Sequence, residues 1–178
     1  MYKFKATYQT VNTTPGINTD QFIILHHTGN TGLQGNLNAL LGKTTRPVSV
    51  HFVIATNGDA YKLAWPKEIT WHAGESKRWE LNWMNKYSLG IEIVGPDKAG
   101  GFPQVQYDRV VDLVKYLMTT FKIPVDNVLK HADITRVWAK DKKLWDGKTV
   151  NRKTDVNRAL RAARGFKTFD DRRHKVLS

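Results

Sequence analysis

The chain has 178 residues, 40% of them apolar and 25% charged, which fits one globular domain with a single core and excludes a disordered polyampholyte. It has no cysteine, so disulfides and Cys-based zinc fingers are excluded, and any bound metal must rest on His and carboxylate. The net charge of +12 draws the protein toward polyanions: nucleic acid, an anionic cell wall or a membrane surface.

The first ten residues, "MYKFKATYQT", lack the apolar stretch of a secretory signal, and no run approaches the length of a membrane span. Residues 22–26 (FIILH) read as a buried strand that ends on His26 and His27. Successive strand residues point to opposite faces, so only one of these two imidazoles can serve a given cleft. Residues 36–42 read as a short helix closed by Gly42. Residues 49–54 read as a strand containing His51, Asn57-Gly58 as a hairpin turn, and residues 59–64 as the return strand. Residues 88–94 (SLGIEIV) form another core strand stopped by Gly95-Pro96.

Residues 106–121 repeat apolar side chains at Val110, Val111, Val114, Leu117, Met118 and Phe121, an amphipathic helix ended by Pro124. Val128 and Leu129 make a short strand, and His131 begins the loop that follows. A last helix starts near Asp155. The tail from residue 166, "FKTFDDRRHKVLS", is a basic extension in which His174 is a solvent-facing residue. Strands interspersed with helices, and one clear hairpin, predict an α/β single domain: a central mixed β-sheet flanked by helices, with a core over residues 20–165.

Several residues in this frame can carry chemistry, and each has a plainer reading. His26 and His27 are either strand-end packing residues or ligands; His51 is a packed or supporting residue; His131 stands where site residues often sit. Asp155 is an ordinary helix N-cap or a metal-binding carboxylate. Two histidines and a carboxylate are the minimum open zinc site, and Lys153 nearby would be placed to steady an oxyanion. Glu92 sits in an apolar strand, where it is a solvent-facing edge residue or a general base with a raised pKa. Trp79 and Trp83 read as core, whereas Trp138 and Trp145 lie in a polar stretch and are candidates for stacking on sugar rings.

The stretches "FIILHHTGN", "VSVHFVIATNGDAYKL", "WHAGES", "NKYSLGIEIVG", "VLKHADITR" and "RKTD" occur in an order that resembles the zinc-dependent N-acetylmuramoyl-L-alanine amidases of the amidase-2 type. That group includes T7-lysozyme-like endolysins, AmpD-like amidases and peptidoglycan recognition proteins. The resemblance covers roughly residues 20–160 and implies the fold predicted above. It implies a Zn2+ ion held by His26, His131 and Asp155, with Glu92 as the base and Lys153 as the oxyanion stabiliser. It also implies His72 in the substrate cleft, beside His27 and Trp138, with His51 as a supporting residue near it.

The implied activity is hydrolysis of the amide between N-acetylmuramic acid and L-alanine by a monomer acting on peptidoglycan. The basic charge tilts the expectation to a phage endolysin, made in the host cytoplasm and acting on the wall. The alternatives are a cytoplasmic muropeptide-recycling amidase and a non-catalytic peptidoglycan- or nucleic-acid-binding protein. No helix-turn-helix, zinc finger or RNP-like motif supports the last, and nucleic acid is not expected as a partner.

Three departures from the family pattern stand out. Val50 occupies the position where some members carry a catalytic Tyr. Residues 136–151 form a long basic loop between the last two motifs. Val156-Asn157 replaces the usual Pro-Gly.

Overall fold

The computed structural model describes residues 2–95 and 102–143, with the main chain alone at 136–139. In chain order the strands and helices are β1 (Ala6–Thr7), β2 (Thr13–Thr14), β3 (Phe22–His27), α1 (Leu33–Leu40), β4 (Phe52–Ile54), β5 (Ala60–Lys62), β6 (Ile69–Thr70), β7 (Lys77–Arg78), β8 (Leu81–Asn82), β9 (Ser88–Ile93), α2 (Gln104–Phe121), β10 (Val128–Lys130) and α3 (His131–Asp141). None of the described helices is long and apolar enough to cross a membrane.

Six strands make one mixed sheet in the order β1-β5-β4-β9-β3-β10. The apolar runs of β3 and β9 are neighbours inside the sheet, where both faces are covered, which is why their residues read as continuous rather than alternating. The four strands β4, β9, β3 and β10 run parallel, so their carboxyl ends meet at one edge. The hairpin partner β5 is antiparallel to β4. The connecting turn falls at Asn57-Gly58 as expected: the Asp59 amide donates to Asn57 Oδ1 at 3.0 Å, and Gly58 alone of the pair takes a positive φ, 83°.

One face of the sheet, carrying Ile23, Leu25, Leu89, Ile91 and Ile93, packs against Val110, Leu113, Val114 and Leu117 of α2. These four recur at the helical interval of three or four residues, and each is almost fully buried. On the opposite face, Leu37 and Leu40 of α1 cover Val53, while Met84 and Ile134 cover Phe22 and Ile24. The core is thus split by the sheet into two layers.

Several expected boundaries shift. α1 begins at Leu33 rather than residue 36, and Gly42, at φ 80°, follows it with its amide donating to the Ala39 carbonyl. The strand expected over 49–54 is shortened to β4, and the Ser49 and His51 side chains before it bond to Trp71 and Glu68, on either side of β6. α2 stops at Lys122 in the left-handed conformation, two residues before Pro124. His131 opens a helix rather than a loop. The Lys130 amide donates to Asp133 Oδ2 at 3.1 Å, the return half of a capping box, and this starts α3. The stretch expected to be a long loop from 136 is therefore helical as far as Asp141. Trp79 and Trp83, read as core, are 58% and 39% exposed.

Candidate metal centre and active site

The shared edge of the parallel strands gathers side chains that lie far apart in sequence. Pairing of β3 with β9 sets His26 beside Glu92, and pairing of β9 with β4 sets Glu92 beside Val53. Side-by-side residues of paired strands project from the same face, with strands roughly 4.8 Å apart. On the other side of β3, Lys130 of β10 pairs with Leu25, so the chain's next residue, His131, arrives next to His26. The crevice outside the carboxyl ends of parallel strands is where open α/β sheets bind ligands.

Three imidazoles meet there. His26 Nδ1 lies 3.2 Å from His131 Nδ1, and His26 Nε2 lies 3.0 Å from His72 Nδ1. His72 comes from the loop after β6 and is held in turn by Ser88, whose carbonyl is 3.3 Å from His72 Nε2. His26 is 4% exposed. Burial holds the His72 pKa well below its ordinary value, and the neighbouring His51 adds to the effect.

Zinc sets a geometric requirement on the pair of His26 and His131. Two nitrogens about 2.0–2.1 Å from one tetrahedral zinc lie roughly 3.3 Å apart. The two Nδ1 atoms, at 3.2 Å, meet that requirement, and paired imidazoles are a donor set that zinc favours. Among the described residues no group of three His, Asp or Glu side chains completes a site. Asp155 and Lys153 lie outside the described residues, as does the side chain of Trp138.

The remaining expected site residues divide by face. Glu92 is half-buried, with Oε2 shielded from solvent, on the same face as His26. His27 projects to the other face, the α2 side, and is not brought to the imidazole cluster. His51 is fully buried: its Nε2 donates to the Glu68 carbonyl at 2.9 Å, and its Nδ1 accepts from the Gly90 amide at 3.1 Å. Both ring nitrogens serve the fold, and burial lowers its pKa to about 4. Trp83 lines a recess of about 360 Å³ with Glu75, Ser76, Asn82 and Lys142.

Two contributors escaped the sequence reading. A Cβ at Gly90 would sit 2.6 Å from His72 Cγ and 2.9 Å from Val50 Cγ2, so only glycine leaves space for that ring. The signal was available: a lone glycine inside an apolar strand marks a close approach. Asn85 is buried, and its Oδ1 accepts from the amides of His72 (3.1 Å) and Ala73 (2.7 Å), fixing the loop that carries His72. Nothing in the sequence distinguishes Asn85 from a surface turn residue.

The chain matches the Amidase_2 family model, described as N-acetylmuramoyl-L-alanine amidase, over residues 17–155. It is 28% identical over 88 residues to the 1,6-anhydro-N-acetylmuramyl-L-alanine amidase AmpD of Salmonella typhimurium, covering 49% of this chain and 46% of that protein. The chain thus spans about half the length of the curated relatives it matches. Two solved structures share the fold. A selenomethionine derivative of AmpD superposes with a TM-score of 0.69 at 18% identity, covering 90% of this chain and 96% of that one. PlyL superposes with a TM-score of 0.65 at 18% identity, covering 91% and 97%.

Proposed function

The chain belongs to the Amidase_2 family of N-acetylmuramoyl-L-alanine amidases, and from that premise we propose that it hydrolyses the amide joining N-acetylmuramic acid to L-alanine in peptidoglycan. The observation that carries the proposal is the 3.2 Å approach of His26 Nδ1 to His131 Nδ1, one strand away from a half-buried carboxylate. In this reading His26 and His131 hold Zn2+ together with Asp155. Bound zinc supplies a Lewis acid to the reaction.

The chain's own groups do the rest. Glu92 removes a proton from the attacking water and returns it to the nitrogen as the C–N bond breaks, leaving a lactyl carboxylate and a free alanine amine. Lys153 offsets the charge that builds on the carbonyl oxygen. The strong depression of the His51 and His72 pKa values keeps both rings neutral at pH 7, so they add no positive charge that would repel a cation.

The net charge of +12 supports the intact, anionic wall as the substrate and an endolysin-like role, since soluble fragments need no basic surface. The test is digestion of purified sacculi and, in parallel, of soluble anhydro-muropeptides, each with zinc and with a chelator. Zinc-dependent release of peptides with a free N-terminal alanine from sacculi is expected. Turnover of the soluble fragments alone would assign a recycling role, and no release from either would sink the amidase reading.

A further inference from the structure

The bonding around Ser88 dictates where the protons of the imidazole row sit. Ser88 Oγ donates its hydrogen to the Met84 carbonyl at 2.6 Å, so toward His72 it offers only lone pairs. It lies 3.3 Å from His72 Nε2, and the Ser88 carbonyl lies 3.3 Å from the same nitrogen. Both groups are acceptors, so His72 carries its hydrogen on Nε2. In the neutral ring Nδ1 is then a bare acceptor, and His26 Nε2, 3.0 Å away, must donate to it. Neutral His26 has one ring hydrogen, now committed to Nε2. Its lone pair is left on Nδ1, the atom that faces His131.

We propose that His72 is a positioning residue that locks His26 in its Nε2–H form and so presents the His26 Nδ1 lone pair to the metal, with Gly90 as the position that admits the His72 ring. The inference rests on the zinc reading above for its consequence, but the tautomer itself is a property of the metal-free chain. The Ser88 anchor is itself held: Asn18 Nδ2 donates to the Ser88 carbonyl at 2.7 Å, and Asn18 is fully buried. A ligand histidine whose second nitrogen is fixed in this way binds metal about 10–100-fold more tightly than one without the support.

The experiment has two readouts on the full chain. Histidine-ring 15N NMR of the metal-free protein reads the tautomer of His26, and competition against a chromophoric chelator reads zinc affinity. The native His26 is expected as Nε2–H. His72→Leu should weaken zinc binding about 10–100-fold. His72→Asn, whose Oδ1 stands where the accepting nitrogen stood, should bind close to native. Gly90→Ala keeps His72 but crowds its ring, and should weaken binding in the same direction as His72→Leu.

A purely structural role for His72 would not separate Asn from Leu in zinc affinity. Equal affinity of the Leu variant and the native chain, no gain of Asn over Leu, or a native His26 protonated on Nδ1 each overturns the proposal. A native chain with the Nε2–H form that binds no zinc sinks the metal assignment and with it the role claimed for the lock, while amidase activity is tested apart on sacculi.

Discussion

His51 offers the most quantitative prediction, because its ionisation is coupled to the whole fold. The ring is fully buried, and its pKa falls from an ordinary 6.5 to about 4, chiefly through loss of hydration. The unfolded chain therefore binds a proton at His51 that the folded chain refuses between those two values. Stability from this group is fully present above pH 6.5, declines as pH falls, and levels off below about pH 4. The full interval is worth about 3 kcal/mol, and about 2 kcal/mol of it is lost already at pH 5.

The perturbation is His51→Gln, which retains a donor toward the Glu68 carbonyl but cannot titrate. Urea unfolding of both proteins at pH 7 and pH 5 supplies the four free energies. The variant is weaker at pH 7 by about 1–3 kcal/mol, since the Gly90 amide loses its acceptor. Between pH 7 and pH 5 the native chain should lose about 2 kcal/mol more than the variant does. Equal losses, or a His51 that titrates near 6.5 by NMR, would refute the argument, because either means the ring is hydrated in the folded state.

Other expectations can be checked alongside. Glu92→Gln should retain zinc and the native far-UV spectrum, while hydrolysis of sacculi falls about 10²–10⁴-fold. Lys153→Ala should cut kcat by roughly a hundredfold, about 3 kcal/mol, with little change in melting temperature. Adding zinc to metal-free protein at 100 times its Kd should raise the unfolding free energy by about 2.7 kcal/mol, and EDTA should reverse the gain. Leu113→Ala, at a fully buried contact between α2 and the sheet, should cost about 2–5 kcal/mol in urea unfolding without altering zinc affinity.

Much of this architecture is written in residue types that act locally. The apolar runs at 22–26 and 88–94 and the Asn57-Gly58 turn name their own elements, since alternation, burial and turn chemistry work over a few residues. The heptad-like spacing of Val110, Val114 and Leu117 does the same for α2. The capping bond between Lys130 and Asp133 is equally local, but a single carboxylate three residues on is a weak signal beside an apolar stretch that ends on a histidine. What is not local was harder to see. Trp79, in the turn after β7, and Trp83, just before a short 3-10 helix, both take a positive φ, at 50° and 59°, and stand exposed, which no apolarity scale anticipates. The meeting of His26 with His72 depends on strand order and on the missing Cβ of Gly90, which only the folded chain reveals. The residue-by-residue resemblance supplied the ligand assignments that spacing alone left open.

The sheet also works as a partition. Among the described residues, His26, the imidazoles it meets and Glu92 lie on one side of it, whereas α2 lies on the other and turns Asp108, Asp112, Lys115 and Thr119 outward. A cysteine or an enzymatic tag introduced at Lys115 would thus fasten the protein to a bead or a fluorophore by its back. The crevice would then face away from the support, toward the cell-wall substrate proposed above.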